Sequence, residues 1–191
     1  DYYVLSPIID HVVMAKDGDG NFMLPAFDFS NMPPWRETQG YQVRVDEDVV
    51  LNYPVEQEEV AYVCDGSINR PLRDGWAAVS TAENMSLLVN SISGKDLPEG
   101  SQITAISSDG TVVGSGFVDA NGRCGLAVWG DDPETDRLDG LTEGEMFELR
   151  VWDAEKGVEF VPEIVQFLEG DALVYEPDGL EVLDLKSQNH I

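Results

Sequence analysis

The chain has 191 residues, enough for one large domain or two small ones with a real core. It carries 37 acidic against 11 basic residues, a formal net charge of −26, so its own field repels nucleic acid and anionic membrane surfaces. Apolar residues make up 42%, with seven Phe, six Tyr and four Trp, which sets it apart from a disordered polyanion. Calcium loading outside the cell, adaptation to high salt and plain solubility all fit the acidity, and cations, basic proteins and neutral glycans stay open as partners.

Along the chain the recurring unit is a short run rich in Val, Ile, Phe and Tyr, bounded by Gly, Asp, Asn and Pro. That is the signature of an all-β fold. HVVMAK (11–16) and NFMLPAF (21–27) flank DGDG, whose Asp19-Gly20 pair marks a hairpin turn. GYQVRV (40–45) alternates, and DVVLNY (48–53) is expected to follow it as a further strand. These runs define a small β module over residues 1–55.

Residues 56–75 read as an acidic, loop-rich connector. Strands are then expected at GWAAVS (75–80), MSLLVNSIS (85–93), SQITAISS (101–108) and TVVGSGFVD (111–119), the last two joined at Asp109-Gly110. RCGLAVWG (123–130), MFELRVWD (146–153), VEFVPEIVQFL (158–168), ALVYEP and LEVLDL complete a second module over 76–191. In MFELRVWD, Phe147, Leu149 and Val151 share one face while Glu148 and Arg150 share the other. One wet and one buried face predict two antiparallel β modules, the C-terminal one an immunoglobulin-like β-sandwich.

Residues 127–140, AVWGDDPETDRLDG, hold the densest acidic cluster. Asp131, Asp132, Asp136 and Asp139 are candidate calcium ligands, although their spacing is not that of an EF-hand. Asp17, Asp19 and Asn21 of KDGDGN form a second candidate. The competing reading is that these carboxylates accept the amides of their own turns. No cofactor is required under either reading.

Enzyme chemistry has thin support. His11 and His190 stand near no nucleophile motif, and no zincin, P-loop or dinucleotide fingerprint occurs. The expectation is a protein without catalytic residues. Cys64 and Cys124 match no metal or redox spacing; they form either a disulfide between the two halves or two buried thiols. Among the aromatics Trp35, Tyr41, Trp129 and Trp152 are candidates for glycan contact, with Trp35 and Trp152 favoured. Trp152 falls on the polar face of its strand. No apolar run is long enough for a membrane helix, so membrane insertion is not expected.

Two stretches resemble repeat modules of secreted, multidomain proteins of Bacteroidetes and related bacteria. In the first, Lys16, Asp17, Gly18, Gly20, Asn21, Phe22, Pro25, Trp35, Gly40, Tyr41 and Gln42 match a K-D-G-x-G-N…W…G-Y-Q pattern. In the second, Trp129, Gly130, Asp131, Asp132, Thr135, Asp139, Gly140, Gly144, Glu145, Trp152 and Asp153 match W-G-D-D…D-G, G-E and W-D. The resemblance covers about half the chain. It implies an extracellular or cell-surface β-sandwich protein with a structural or adhesive role and no catalysis.

Modules of that kind open on a G-W-x-x-I-S strand, whereas here GWAAVS lies at 75–80. An unpaired sheet edge would follow, and the segment Asp1, Tyr2, Tyr3, Val4 and Leu5 becomes a candidate donor strand for a neighbouring copy. The expectation is therefore a secreted structural subunit of a fibre or matrix, assembled with itself through β-strand contacts. The alternative is a carbohydrate-binding or adhesive module with glycans as partners.

Overall fold

The computed structural model describes residues 2–54, 72–94 and 96–187. The chain is all-β and divides into two compact units, Asp1–Pro71 and Leu72–Ile191. The division falls inside the stretch read as a connector, and Leu72–Gly75 belong with the second unit.

In the first unit, β1 (Val12–Asp17), β2 (Phe22–Leu24), β3 (Phe29–Ser30) and β4 (Tyr41–Val45) form an antiparallel sheet of order β3-β2-β1-β4. Leu5, Ile8, Val12, Ala15 and Met23 form one core, with Trp35, Val43, Val45, Val49 and Leu51 packed against it. The alternation in DVVLNY thus reports burial of Val49 and Leu51, but residues 48–53 join no ladder and are not a strand.

The N-terminal segment also departs from its expected extended form. Tyr2–Leu5 is a helical turn that leads into a 3-10 helix at Ser6–His11. Leu5 and Ile8 stand three residues apart, so a helical path brings both into the core, where extended backbone would turn one of them outward. Pro7 in the first turn of the 3-10 helix fits that path, because its ring presets φ and no N–H is needed there. Asp1 lies outside the described residues.

The second unit is an eight-stranded sheet: β5 (Asn84–Ser93), β6 (Gln102–Ser107), β7 (Val112–Phe117), β8 (Cys124–Trp129), β9 (Phe147–Asp153), β10 (Val158–Phe160), β11 (Glu163–Glu169) and β12 (Leu180–Lys186). Their order across the sheet is β10-β9-β6-β7-β8-β5-β12-β11. All neighbours are antiparallel except β12, which runs parallel to β5. An all-antiparallel module therefore needs this one correction.

The two outermost strands, β10 and β11, are consecutive in sequence and joined only by Val161 and Pro162. Three Cα steps separate Phe160 from Glu163, a reach of at most about 11 Å. A flat eight-stranded sheet would hold its edges about 34 Å apart. The sheet must therefore roll over on itself, with the run 158–168 passing from one layer to the other at Pro162. Proline has no N–H to offer a ladder, which makes it a natural place to change partners. The result is sandwich-like. Leu87, Val89, Ile103, Ala105, Leu126, Val128, Phe147, Leu149, Val151 and Leu183 line a single core between the layers.

GWAAVS contributes a buried Trp76 but no strand. The Trp76 N–H turns back to the Arg73 carbonyl, and the Trp76 carbonyl accepts the Ser115 hydroxyl. Glycines 114 and 116 let β7 lie unusually close to β8. A Cβ on Gly116 would stand 2.7 Å from both the Cys124 sulfur and the Gly125 carbonyl oxygen, and one on Gly114 would stand 2.4 Å from the Ala127 oxygen. These neighbours are backbone and a buried thiol, so nothing cheap can move. Gly116→Ala is expected to destabilise the second unit by about 1–3 kcal/mol, read as a lower urea midpoint with an unchanged slope.

Candidate functional site

The acidic loops share one construction. Asp17 ends β1, and its Oδ1 accepts the N–H groups of Asp19 and Asn21, both at 2.9 Å. Its Oδ2 accepts Asn21 Nδ2–H at 2.9 Å, and its own N–H donates to the Asn21 carbonyl at 3.0 Å. DANGR repeats the device: Asp119 Oδ1 accepts from Asn121 N (2.8 Å) and Arg123 N (2.9 Å), while Asp119 N donates to Arg123 O (2.7 Å). Asp153 accepts from Glu155 N and Lys156 N at 3.0 and 3.1 Å. Asp109 accepts from the Ser107 hydroxyl and the Thr111 amide, which hold its carboxyl below the usual aspartate range.

The 130–140 loop uses its carboxylates in the same way. Asp131 Oδ1 accepts the Asp139 amide at 3.0 Å, and Asp139 Oδ1 returns the bond to the Asp132 amide at 3.2 Å. Asp132 Oδ1 accepts the Glu134 amide at 2.9 Å, and Asp139 Oδ2 accepts the Thr135 hydroxyl at 3.3 Å. Asp136 is exposed on the loop. These bonds from Asp139 to Asp131 and from Asp132 to Asp139 pin the loop shut next to the Gly130–Leu141 bridge. Among the described residues, no group of three or more His, Cys, Asp or Glu side chains is placed so as to hold a metal ion.

Trp152 lies on the outer face of β9, as its alternation predicts, yet that face is occupied. The Arg73 guanidinium sits 4.3 Å above its ring and 5.3 Å from the Trp76 ring. Arg73 Nη1 also reaches Glu159 Oε2 at 2.7 Å, and Arg150 Nη1 holds Glu159 Oε1 at 2.9 Å. The two guanidinium groups hold the Glu159 carboxyl below the usual glutamate range. Trp152 is thus a packing partner in a cation–π cluster, with that ring face closed to a sugar. Trp129 is buried.

Trp35 is placed differently. The turn through Arg36–Gln39 folds it back onto Tyr41 of β4, with ring centroids 4.1 Å apart and planes within 1°. The Tyr41 hydroxyl accepts the Arg36 N–H at 2.8 Å and donates to Gln39 Oε1 at 2.9 Å, so the turn and the stack lock each other. Thr38, inside this turn, has φ of 72°. A β-branched residue there is a strained exception of the kind found at binding sites. The Trp35 indole N–H is buried without an acceptor among the described residues.

The stack forms one wall of a cleft of about 720 Å³, within the usual range for small-ligand sites. Tyr3 and Tyr53 line it as well, 47% and 71% exposed, together with the polar side chains of Glu37, Thr38 and Gln39. Trp35 and Tyr41 are among the aromatics the sequence marks for glycan contact; Tyr3 and Tyr53 are not. Tyr53 was hidden inside an expected strand, and Tyr3 inside an expected donor segment. The one available signal was the WRETQGY spacing, which brings two aromatics together across a turn.

Cys124 is a fully buried thiol on β8, and burial pushes its pKa far above the usual range. Cys64, and with it the choice between a disulfide and two buried thiols, lies outside the described residues, as does His190. His11 is exposed and its Nδ1 stands 3.1 Å from Asp46 Oδ1, next to no nucleophile.

The turn geometry separates two kinds of acid. Asp119→Ala strands two turn amides and is expected to cost about 1–2 kcal/mol, by analogy with loss of a helix N-cap. Asp136→Ala on the exposed loop is expected to stay within about 0.5 kcal/mol, with both read by chemical denaturation. Comparison with known protein families, characterised proteins and solved structures returns no match.

Proposed function

We propose that this chain is a non-enzymatic, extracellular carbohydrate-binding module and that the cleft beside Trp35 and Tyr41 is its glycan site. The observation that carries this reading is the face-to-face Trp35–Tyr41 stack, set beside two exposed tyrosines and a rim of Glu37, Thr38 and Gln39. A pyranose ring has an apolar C–H face that packs on an aromatic plane. Its hydroxyls need amide and carboxylate side chains within reach. Aromatic walls with a few convergent polar groups are also the general form of a small-ligand site. The net charge of −26 favours neutral glycans over sulfated or sialylated ones, which the protein's field repels. An extracellular setting is supported by the resemblance of both units to secreted modules.

This reading has more support than a fibre subunit built by donating residues 1–5. Leu5 is spent in the core of its own unit, and extraction would expose it at a cost of about 1.5–3 kcal/mol. It also has more support than cation binding at the acidic loops, where Asp17, Asp119, Asp131, Asp132 and Asp139 each commit at least one carboxylate oxygen to an amide of their own turn.

The test is calorimetric titration with neutral oligosaccharides. Tyr53→Ala removes an exposed ring and is expected to weaken binding at least tenfold without moving the melting temperature, about 1.4 kcal/mol of lost affinity. Gln39→Ala is expected to weaken it in the same direction. Unchanged affinity in both variants, or no binding to any neutral oligosaccharide by the folded protein, would overturn the assignment.

A further inference from the structure

The cleft beside Trp35 and Tyr41 carries more chemistry than contact with a bare pyranose uses. The Tyr41 hydroxyl accepts the Arg36 N–H and gives its own proton to Gln39 Oε1. A side-chain amide has one acceptor atom and one atom with two donors. With Oε1 held by Tyr41, the group that Gln39 offers a ligand is its Nε2–H2. The turn fixes that orientation. Trp35, which lines the same cleft, carries a second donor, an indole N–H buried without an acceptor among the described residues. Such a donor is costly until it is paired. The cleft therefore favours a ligand that brings an acceptor.

The lining also has an aliphatic part. Val4, Val43 and Leu51 border the cleft, and each is half-buried. The C–H face of a sugar is already matched by the aromatic rings, and sugar hydroxyls gain nothing from valine or leucine. Fixed amide donors beside aliphatic side chains fit a carbonyl that carries a methyl.

We propose that the cleft selects neutral oligosaccharides bearing acetamido groups, with Gln39 Nε2–H donating to the acetamido carbonyl and Val43 and Leu51 taking its methyl. This selectivity rests on the glycan reading of the cleft. A plain hydroxyl on the same ring carbon brings no methyl, and leaves Val43 and Leu51 against water. A uronic-acid carboxylate would also accept from Gln39, but charge disfavours it. The charged side chains that line the cleft, Arg36 and Glu37, cancel, and the whole chain carries −26. An acetamido carbonyl accepts without bringing a charge for that field to repel.

Calorimetric titration in high salt tests the selectivity with matched β-1,4 tetramers of N-acetylglucosamine, glucose, glucosamine and glucuronic acid. The acetylated tetramer is expected to bind at least about tenfold more tightly than each of the others. Gln39→Glu keeps an oxygen for the Tyr41 hydroxyl and exchanges the free donor for an acceptor. In that variant the preference over glucose is expected to fall below about threefold, with the melting temperature unchanged. Saturation-transfer NMR on the acetylated tetramer is expected to give its strongest transfer at the acetamido methyl. Equal affinity for the glucose tetramer, tighter binding of the glucuronic acid or glucosamine tetramer, or a preference that survives Gln39→Glu overturns this proposal. The first and last of these outcomes leave the neutral-glycan reading standing. Failure of the folded chain to bind any of the tetramers sinks both.

Discussion

The interaction on which much of this protein rests is a carboxylate accepting the amides of its own turn. A hairpin loop leaves N–H groups that no ladder satisfies, and each one buried without a partner costs about 1–3 kcal/mol. Asp17, Asp119 and Asp153 each stand at the end of a strand or just past it and take two such amides. Asp131, Asp132 and Asp139 each take one across a longer loop. The acidity that first suggests cations or catalysis is in good part a device for closing turns. Carboxylates that accept amides have fewer free lone pairs to offer an ion.

Those turns allow the strands between them to be short and strongly packed. In the second unit they feed a sheet whose first and last strands in space are neighbours in sequence, so the sheet has to roll. Rolling encloses one core, and the glycine-lined contact between β7 and β8 draws two of its strands tight. It also leaves β11 at the edge with apolar side chains outside. In the first unit a turn does a different task. The Arg36–Gln39 turn spends backbone strain at Thr38 and ties Tyr41 to Gln39, and in return holds two aromatic rings face to face over a cleft.

Most of the fold was legible in the sequence because alternation and Asp-Gly turns are local signals. The pattern of Phe147, Leu149 and Val151 predicts one buried face, and all three are buried. What was not legible depends on partners distant in sequence. DVVLNY packs Val49 and Leu51 partly against the core and GWAAVS buries Trp76, but hydropathy does not reveal whether a backbone finds a ladder. The run 158–168 reads as one strand, and only the sheet order shows that Pro162 divides it between two layers. The parallel pairing of β12 with β5 leaves no local mark at all.

The candidate site was half legible for the same reason. Trp35 and Trp152 stand as equal candidates for glycan contact in the sequence, with only Trp152 marked by its strand's alternation. Arg73, some eighty residues earlier in the chain, covers one, and a turn of its own segment opens the other. Tyr3 and Tyr53 enter the cleft from segments without any strand. The central claim is that ligands meet this chain at the aromatic cleft and not at its acidic turns. The most direct measurement is a backbone and aromatic NMR shift map recorded with a neutral oligosaccharide and, separately, with calcium. The account predicts sugar-induced shifts confined to Trp35, Tyr41, Tyr53 and the 36–39 turn, with no localised response to calcium. Saturable calcium shifts at residues 17–21 or 131–139, with the cleft signals unmoved by sugar, would contradict it.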